Sequence, residues 1–212
     1  MRILKLATLL TLGCFTAIQA QNIRTFNNLE LSTSISKNTH QYSLFWGESI
    51  QVKSPVPFRF TTGLRLAMNN KSSGIYPVKE GANLSSLAFE KRPWYTTFAL
   101  PVGLELFYKG IGVGAFHEVV SLSGKKSYND TFTTLGDKET LKTQGFSSIF
   151  NKKQNLTGGV YLVYTFSDSF SLKAGYNRIT STFTKANETK ELGYARLTDD
   201  TFTVGLRINI EK

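Results

Sequence analysis

The stretch Pro57-Phe58-Arg59-Phe60-Thr61-Thr62-Gly63-Leu64-Arg65-Leu66-Ala67-Met68-Asn69 decides the class of fold. Phe58, Phe60, Thr62, Leu64, Leu66 and Met68 form one set of alternate positions, apolar except for one threonine. Arg59, Thr61, Gly63, Arg65, Ala67 and Asn69 form the other, polar or small. A period of two is the signature of a β-strand with two unlike faces. The run is also long enough to cross a bilayer as a tilted strand, which needs about 9–11 residues.

Seven further segments read the same way: 28–36, 41–53, 94–108, one beginning at Ile111, 155–166, 170–183, and a last one running through Phe202 to Ile210. They are joined alternately by short turns (54–56, 109–110, 168–169) and by longer polar connections (37–40, 70–93, 124–154, 184–199). Eight strands return the chain to its starting side, so the short turns and both termini share one face. This pattern predicts an all-β, eight-stranded antiparallel up-and-down transmembrane β-barrel, with the short turns and both mature termini periplasmic. Aromatics near strand ends (Tyr42, Trp94, Tyr108, Phe166, Phe170, Phe202) suit the two girdles of such a barrel.

Parity assigns Glu30, Arg59, Arg65, Glu105, Glu118, Lys173 and Arg207 to the inward face. An eight-stranded barrel is just wide enough for side chains to fill it, and charges buried there must be paired. These seven are therefore expected to form an interior polar network. Glu48 shares the parity of Trp46 and Ile50 and reads as outward, where a carboxylate is unfavourable.

Residues 1–20 read as an export signal, and residues 21–212 as the barrel domain. Arg2 and Lys5 precede a largely apolar run, and Ala17 to Ala20 ends on a small residue before Gln21. The apolar run is too short for a helical span. Leu12-Gly13-Cys14 is an alternative lipidation signal, but apolar residues 15–18 would follow the lipidated cysteine. After residue 20 there is no cysteine, which excludes a disulfide-stapled scaffold. The same portion carries 23 basic and 15 acidic residues. With an export signal, that surplus points to anionic lipid rather than nucleic acid. Mean hydropathy is near neutral (−0.16), as expected when lipid meets only every second residue.

The chain resembles the eight-stranded outer-membrane barrels, the outer membrane protein A transmembrane domain and the outer membrane protein X group among them. The final strand, Thr201 to Ile210, with Gly205 followed by alternating apolar residues, is similar to the insertion signal read by the barrel-assembly machinery; it lacks the usual terminal aromatic. In the X-like group strands protrude above the membrane. Residues 131–135 and 141–150 have strand composition around a turn at 135–138; one reading is that they extend the fifth and sixth strands as in that group and leave an edge open to a surface protein partner, the other that 124–154 is a mobile surface loop.

Catalytic and metal chemistry find little footing. Some outer-membrane barrels are lipid A hydrolases, and His117, Glu118 and Ser121 are close in sequence. His117 and Glu118 point to opposite faces of a strand, however, and no cysteine set, paired histidines or calcium loop is present. No catalytic, cofactor or metal site is assigned, and Asp199-Asp200 reads as a turn. Loop cations, Lys71, Lys91, Arg92, Lys125, Lys126, Lys152 and Lys153, are candidates for lipopolysaccharide phosphates. The reading that follows is a non-enzymatic outer-membrane barrel for envelope integrity, surface interaction or adhesion. Alternatives are a narrow solute channel, a soluble lipocalin-like carrier of an apolar ligand and, last, a lipid A hydrolase.

Overall fold

The structure is a computed structural model that describes residues 23–52, 57–78, 80–81, 86–124, 127–133, 138–143, 155–185 and 194–211. The expected export signal and the 54–56 turn lie outside these. Thirteen strands and no helix occur among the described residues. They are β1 (Ile23–Ile35), β2 (Thr39–Val52), β3 (Phe58–Lys71), β4 (Gly74–Pro77), β5 (Glu80–Gly81), β6 (Ser86–Phe89) and β7 (Trp94–Tyr108). Then follow β8 (Ile111–Ser123), β9 (Ser127–Thr133), β10 (Lys138–Thr143), β11 (Leu156–Ser167), β12 (Phe170–Lys185) and β13 (Tyr194–Glu211).

Eight of these, β1, β2, β3, β7, β8, β11, β12 and β13, pair antiparallel in that order, and β13 pairs back with β1. The barrel is closed. A row of register partners leaves β1 at Thr25 and passes Ile50, Phe60, Leu104, Ala115, Val160, Tyr176 and Phe202. It re-enters β1 at Ile35, ten residues further on. Eight strands with a shear of ten tilt about 40° and enclose a cylinder of roughly 8 Å backbone radius, so each residue climbs about 2.5 Å along the axis.

Alternation sorts the two faces. Leu31, Trp46, Leu64, Phe98, Leu162 and Phe202 are among the exposed apolar side chains, while Arg59, Arg65, Glu105, Glu118 and Arg207 are buried. Register and tilt spread the outward apolar residues from Tyr108, Phe166 and Ile210 at one edge to Ile35, Phe98 and Met68 at the other. That band is about 25 Å tall, the thickness expected of a lipid-facing belt. Glu48 is outward, as parity requires, and shares a row with Asn27 and Thr62. It lies in the lower third of the band, where the cost of an outward charge is below its midplane value.

Lys109 and Gly110 both have positive φ (49° and 83°) and join β7 to β8 as a two-residue hairpin, the turn whose twist matches that of its strands. On the opposite side, β1 and β2 are linked through residues 36–38 alone, so one of the four connections expected to be longer is itself tight.

Parity slips within β8, and two further expectations are corrected. The β7–β8 register slips between Leu100 and Pro101, a bulge that lets a proline sit mid-strand and turns Ser121 inward along with Glu118. The connection expected at 184–199 is mostly strand: β12 runs to Lys185 and β13 starts at Tyr194, so Asp199 and Asp200 lie within β13. The hairpin in the 124–154 excursion does form, as β9 and β10, but β10 pairs with the top of β12 rather than extending β8 and β11. The far edge of β9 is covered by β6, and that of β6 by β4. Phe183, Ala195 and Leu197 supply the reason, because inward apolar side chains continue the alternation past the rim.

Closure between first and last strands can be checked directly. Thr33 and Val204 are register partners. The pair Thr33→Cys and Val204→Cys is expected to form a disulfide on mild oxidation, whereas Thr33→Cys with Leu206→Cys is not. Equal cross-linking of both pairs would contradict the register.

Candidate functional site: the filled lumen

The seven inward charged residues occupy one stack. Near the turn side, the Arg59 guanidinium lies between the rings of Phe26 and Phe107, 4.8 and 4.9 Å from their centroids. It donates to Asn209 Oδ1 at 3.2 Å and Gln51 Oε1 at 2.9 Å. Next along the axis, Arg207 grips Glu105 through two bonds of 2.5 and 2.9 Å. Their strands, β13 and β7, stand four apart in a ring of eight, so this bidentate pair spans the lumen from wall to wall. Arg207 Nε also donates to Glu30 Oε2 at 3.1 Å, and Lys173 Nζ reaches both Glu30 oxygens at 2.9 and 3.0 Å.

Tyr161 locks this level. Its hydroxyl donates to Glu105 at 2.7 Å, and its ring faces Lys173 Nζ at 3.8 Å from the centroid. The ring fits because Gly114 has no side chain; a Cβ there would come within 2.6 Å of it. Nearer the mouth, Arg65 donates to Glu118 Oε1 at 2.7 Å and to Gln41 Oε1 at 2.6 Å. The second Glu118 oxygen accepts the Thr157 backbone N–H at 2.6 Å. Gln41 then reaches Thr157 on the opposite wall at 3.4 Å. A cavity of about 50 Å³ lies between these levels, lined by Glu30, Phe45, Arg65, Phe116, Tyr161 and Lys173 among others. That is room for a few waters.

Four cations face three carboxylates in this set. The surplus falls at Arg59, which shares Glu105 with Arg207, its Nη1 3.9 Å from Glu105 Oε2, and which lies between two aromatic faces that add negative potential. Bidentate and charge-assisted bonds are the strong members of the hydrogen-bond family, and removing one partner of a buried pair leaves an uncompensated charge.

Above the belt the character changes. Tyr76, Leu87, Phe89, Tyr95, Phe183 and Leu197 form an apolar cap over the mouth. Phe183 packs with Phe89 and Tyr95 at ring distances of 5.3 and 6.0 Å. Lys71 is fully buried beneath it, paired with Asp199 and 3.3 Å from the Thr39 hydroxyl. Burial holds the Lys71 ammonium below the usual lysine range, against the pull of Asp199. Burial, with Asp199 adding to it, pushes the Tyr76 hydroxyl up to about 12, so Tyr76 stays protonated and donates to the Ser72 carbonyl at 2.7 Å.

The expected lipopolysaccharide contacts fare unevenly. Lys71 is withdrawn from the surface by Asp199, its partner 128 positions away, so it is removed from that set. Lys91 and Arg92 are exposed at the turn before β7. Lys125, Lys126, Lys152 and Lys153 lie outside the described residues. His117 is outward, whereas Glu118 and Ser121 are inward, so these three do not meet on one face.

No protein-family model matches the chain, and no curated protein matches it. Among solved structures it is similar to the crystal structure of Neisserial surface protein A. Identity is 9%, the TM-score 0.34, and the alignment covers 88% of this chain and 96% of that one. The fold assignment rests on strand closure and register, not on that likeness.

Glu105→Gln takes the carboxylate from Arg207 and is expected to cost about 3–5 kcal/mol, as for other broken buried pairs, in urea unfolding of the detergent-folded protein. A cost below about 1 kcal/mol would contradict a spanning ion pair. In the cap, Lys71→Ala is expected to destabilise by a similar amount, and Lys71→Met with Asp199→Leu to restore most of the loss. Equal losses in both would contradict the burial of the pair.

Proposed function

We propose that this protein is a non-enzymatic outer-membrane β-barrel whose sealed lumen makes it a structural and surface element rather than a conduit. The observation that carries the reading is the inversion of polarity. Charged residues fill the inside, and a continuous apolar belt about 25 Å tall covers the outside. Soluble proteins rarely expose apolar patches beyond a few hundred Å². A lipocalin-like carrier needs the reverse arrangement, with an apolar interior for its ligand.

A solute channel is disfavoured by the pair that crosses the lumen, Arg207–Glu105, and by the apolar cap above it. What remains for function is the outer surface and the strand-built extension above the belt, suited to envelope integrity, surface interaction or adhesion. Insertion by the barrel-assembly machinery through β13, which closes the barrel against β1, belongs to the same proposal.

The detergent-folded protein is expected to migrate faster in SDS before boiling than after, and to show no stable conductance in planar bilayers. Solubility without detergent and no mobility shift would overturn the membrane reading. A mobility shift with steady conductance would leave the barrel in place and overturn the sealed lumen.

A further inference from the structure

Five lumen charges form one chain of alternating sign: Arg59, Glu105, Arg207, Glu30 and Lys173. Neighbours along it are 3.9, 2.5, 3.1 and 2.9 Å apart. Three cations therefore share two carboxylates, and a cation stands at each end. Arg65 with Glu118 and Lys71 with Asp199 are separate, balanced pairs. With every lumen carboxylate counted against its partners, the chain keeps one net positive charge.

The two ends of the chain differ. Arg59 is enclosed by the rings of Phe26 and Phe107. Lys173 has Glu30 and the Tyr161 ring beside it, and it borders the central cavity. A ring face offsets a buried cation less than a carboxylate does. Arg65 borders the same cavity from the opposite wall, because β12 and β3 stand four apart in the ring of eight. The Phe116 ring is shared between them, 5.9 Å from Lys173 Nζ and 5.5 Å from Arg65 Cζ. Glu30 is the single carboxylate among the lining residues. Thr61 also lines the cavity; it is 7% exposed, and its hydroxyl has no hydrogen-bond partner among the described residues. A buried hydroxyl in that position points to a bound group in the cavity.

We infer that the central cavity is a binding site for one small monovalent inorganic anion of halide size. Lys173 and Arg65 flank it from opposite walls, and the Thr61 hydroxyl donates to it. At about 50 Å³ the cavity takes a few water-sized bodies, so a halide fits with water beside it. Its single negative charge brings the lumen to neutrality, which water alone does not. The site requires the closed barrel and its ionic chain, and is independent of the membrane reading above.

The test is urea unfolding of the detergent-folded full mature chain, with chloride replaced stepwise by gluconate at constant ionic strength. Gluconate is too large for the cavity. Once the site fills, the wild-type unfolding constant is expected to fall about tenfold for each tenfold rise in chloride, the linkage of one bound ion. Bromide should act in the same way. Thr61→Val keeps the shape and removes the hydroxyl, and should raise the chloride concentration needed at least tenfold. Lys173→Met leaves two cations to two carboxylates in the chain, and should remove the dependence. The gel-mobility shift reports folding of each variant, and Thr61→Val carries the test if Lys173→Met does not fold. A wild-type unfolding constant indifferent to chloride would mean that the cavity holds water alone, and would overturn the site. The wild-type chloride dependence, unchanged in a folded variant, would place the ion elsewhere and overturn it equally.

Discussion

Arg207 and Glu105 reach across the full width of the barrel, and the rest of the interior is arranged around that pair. A charged side chain inside a narrow, low-dielectric cylinder is tolerable only if its partner comes to it. With a shear of ten, opposite walls are close enough for two long side chains to meet at 2.5 and 2.9 Å. Glu30 then serves Arg207 and Lys173 together, Tyr161 holds Glu105 from a third direction, and Arg59 keeps its charge between two rings. Gly114 has to be small for Tyr161 to lie where it does.

The same closure orders the outside. Because the lumen is satisfied by its own charges, alternate residues are released to be largely apolar over a band about 25 Å tall. Polar outward residues inside the band are few: besides Thr25 and Thr33 of β1, Asn27, Glu48, Thr62 and His117 lie on one row of register partners that ends at Arg178 and Asp200. Above the rim, β12 and β13 keep climbing and recruit β9–β10 and β4–β6, so a second, apolar core sits over an ionic one.

Much of this is legible from period-two alternation. Parity alone sorts Arg59 from Phe60 and Glu105 from Leu104, and strand number follows from counting alternating runs. Three things escape it. A bulge breaks parity without a local signal, since the β7–β8 slip depends on which residues of β8 oppose Leu100 and Pro101. Strand beyond the apolar belt is polar on its outer side, so residues 194–200 resemble a loop until Ala195 and Leu197 are seen facing Phe183. Pairs distant in sequence, Lys71 with Asp199 above all, leave no trace in either segment; a lysine at a strand end reads as a surface charge.

The two tryptophans give the most direct test of a barrel with its charges inside and its apolar face in lipid. Trp46 is 64% exposed on the outward face, and tilt places it near the middle of the apolar belt. Trp94 stands at the start of β7, at the upper rim. With Trp94→Phe leaving Trp46 alone, reconstitution into vesicles of lipids brominated at defined acyl depths should give blue-shifted emission quenched most strongly by bromines near the bilayer centre. Emission at the wavelength of water-exposed indole, unaffected by bromine at any depth, would contradict the account.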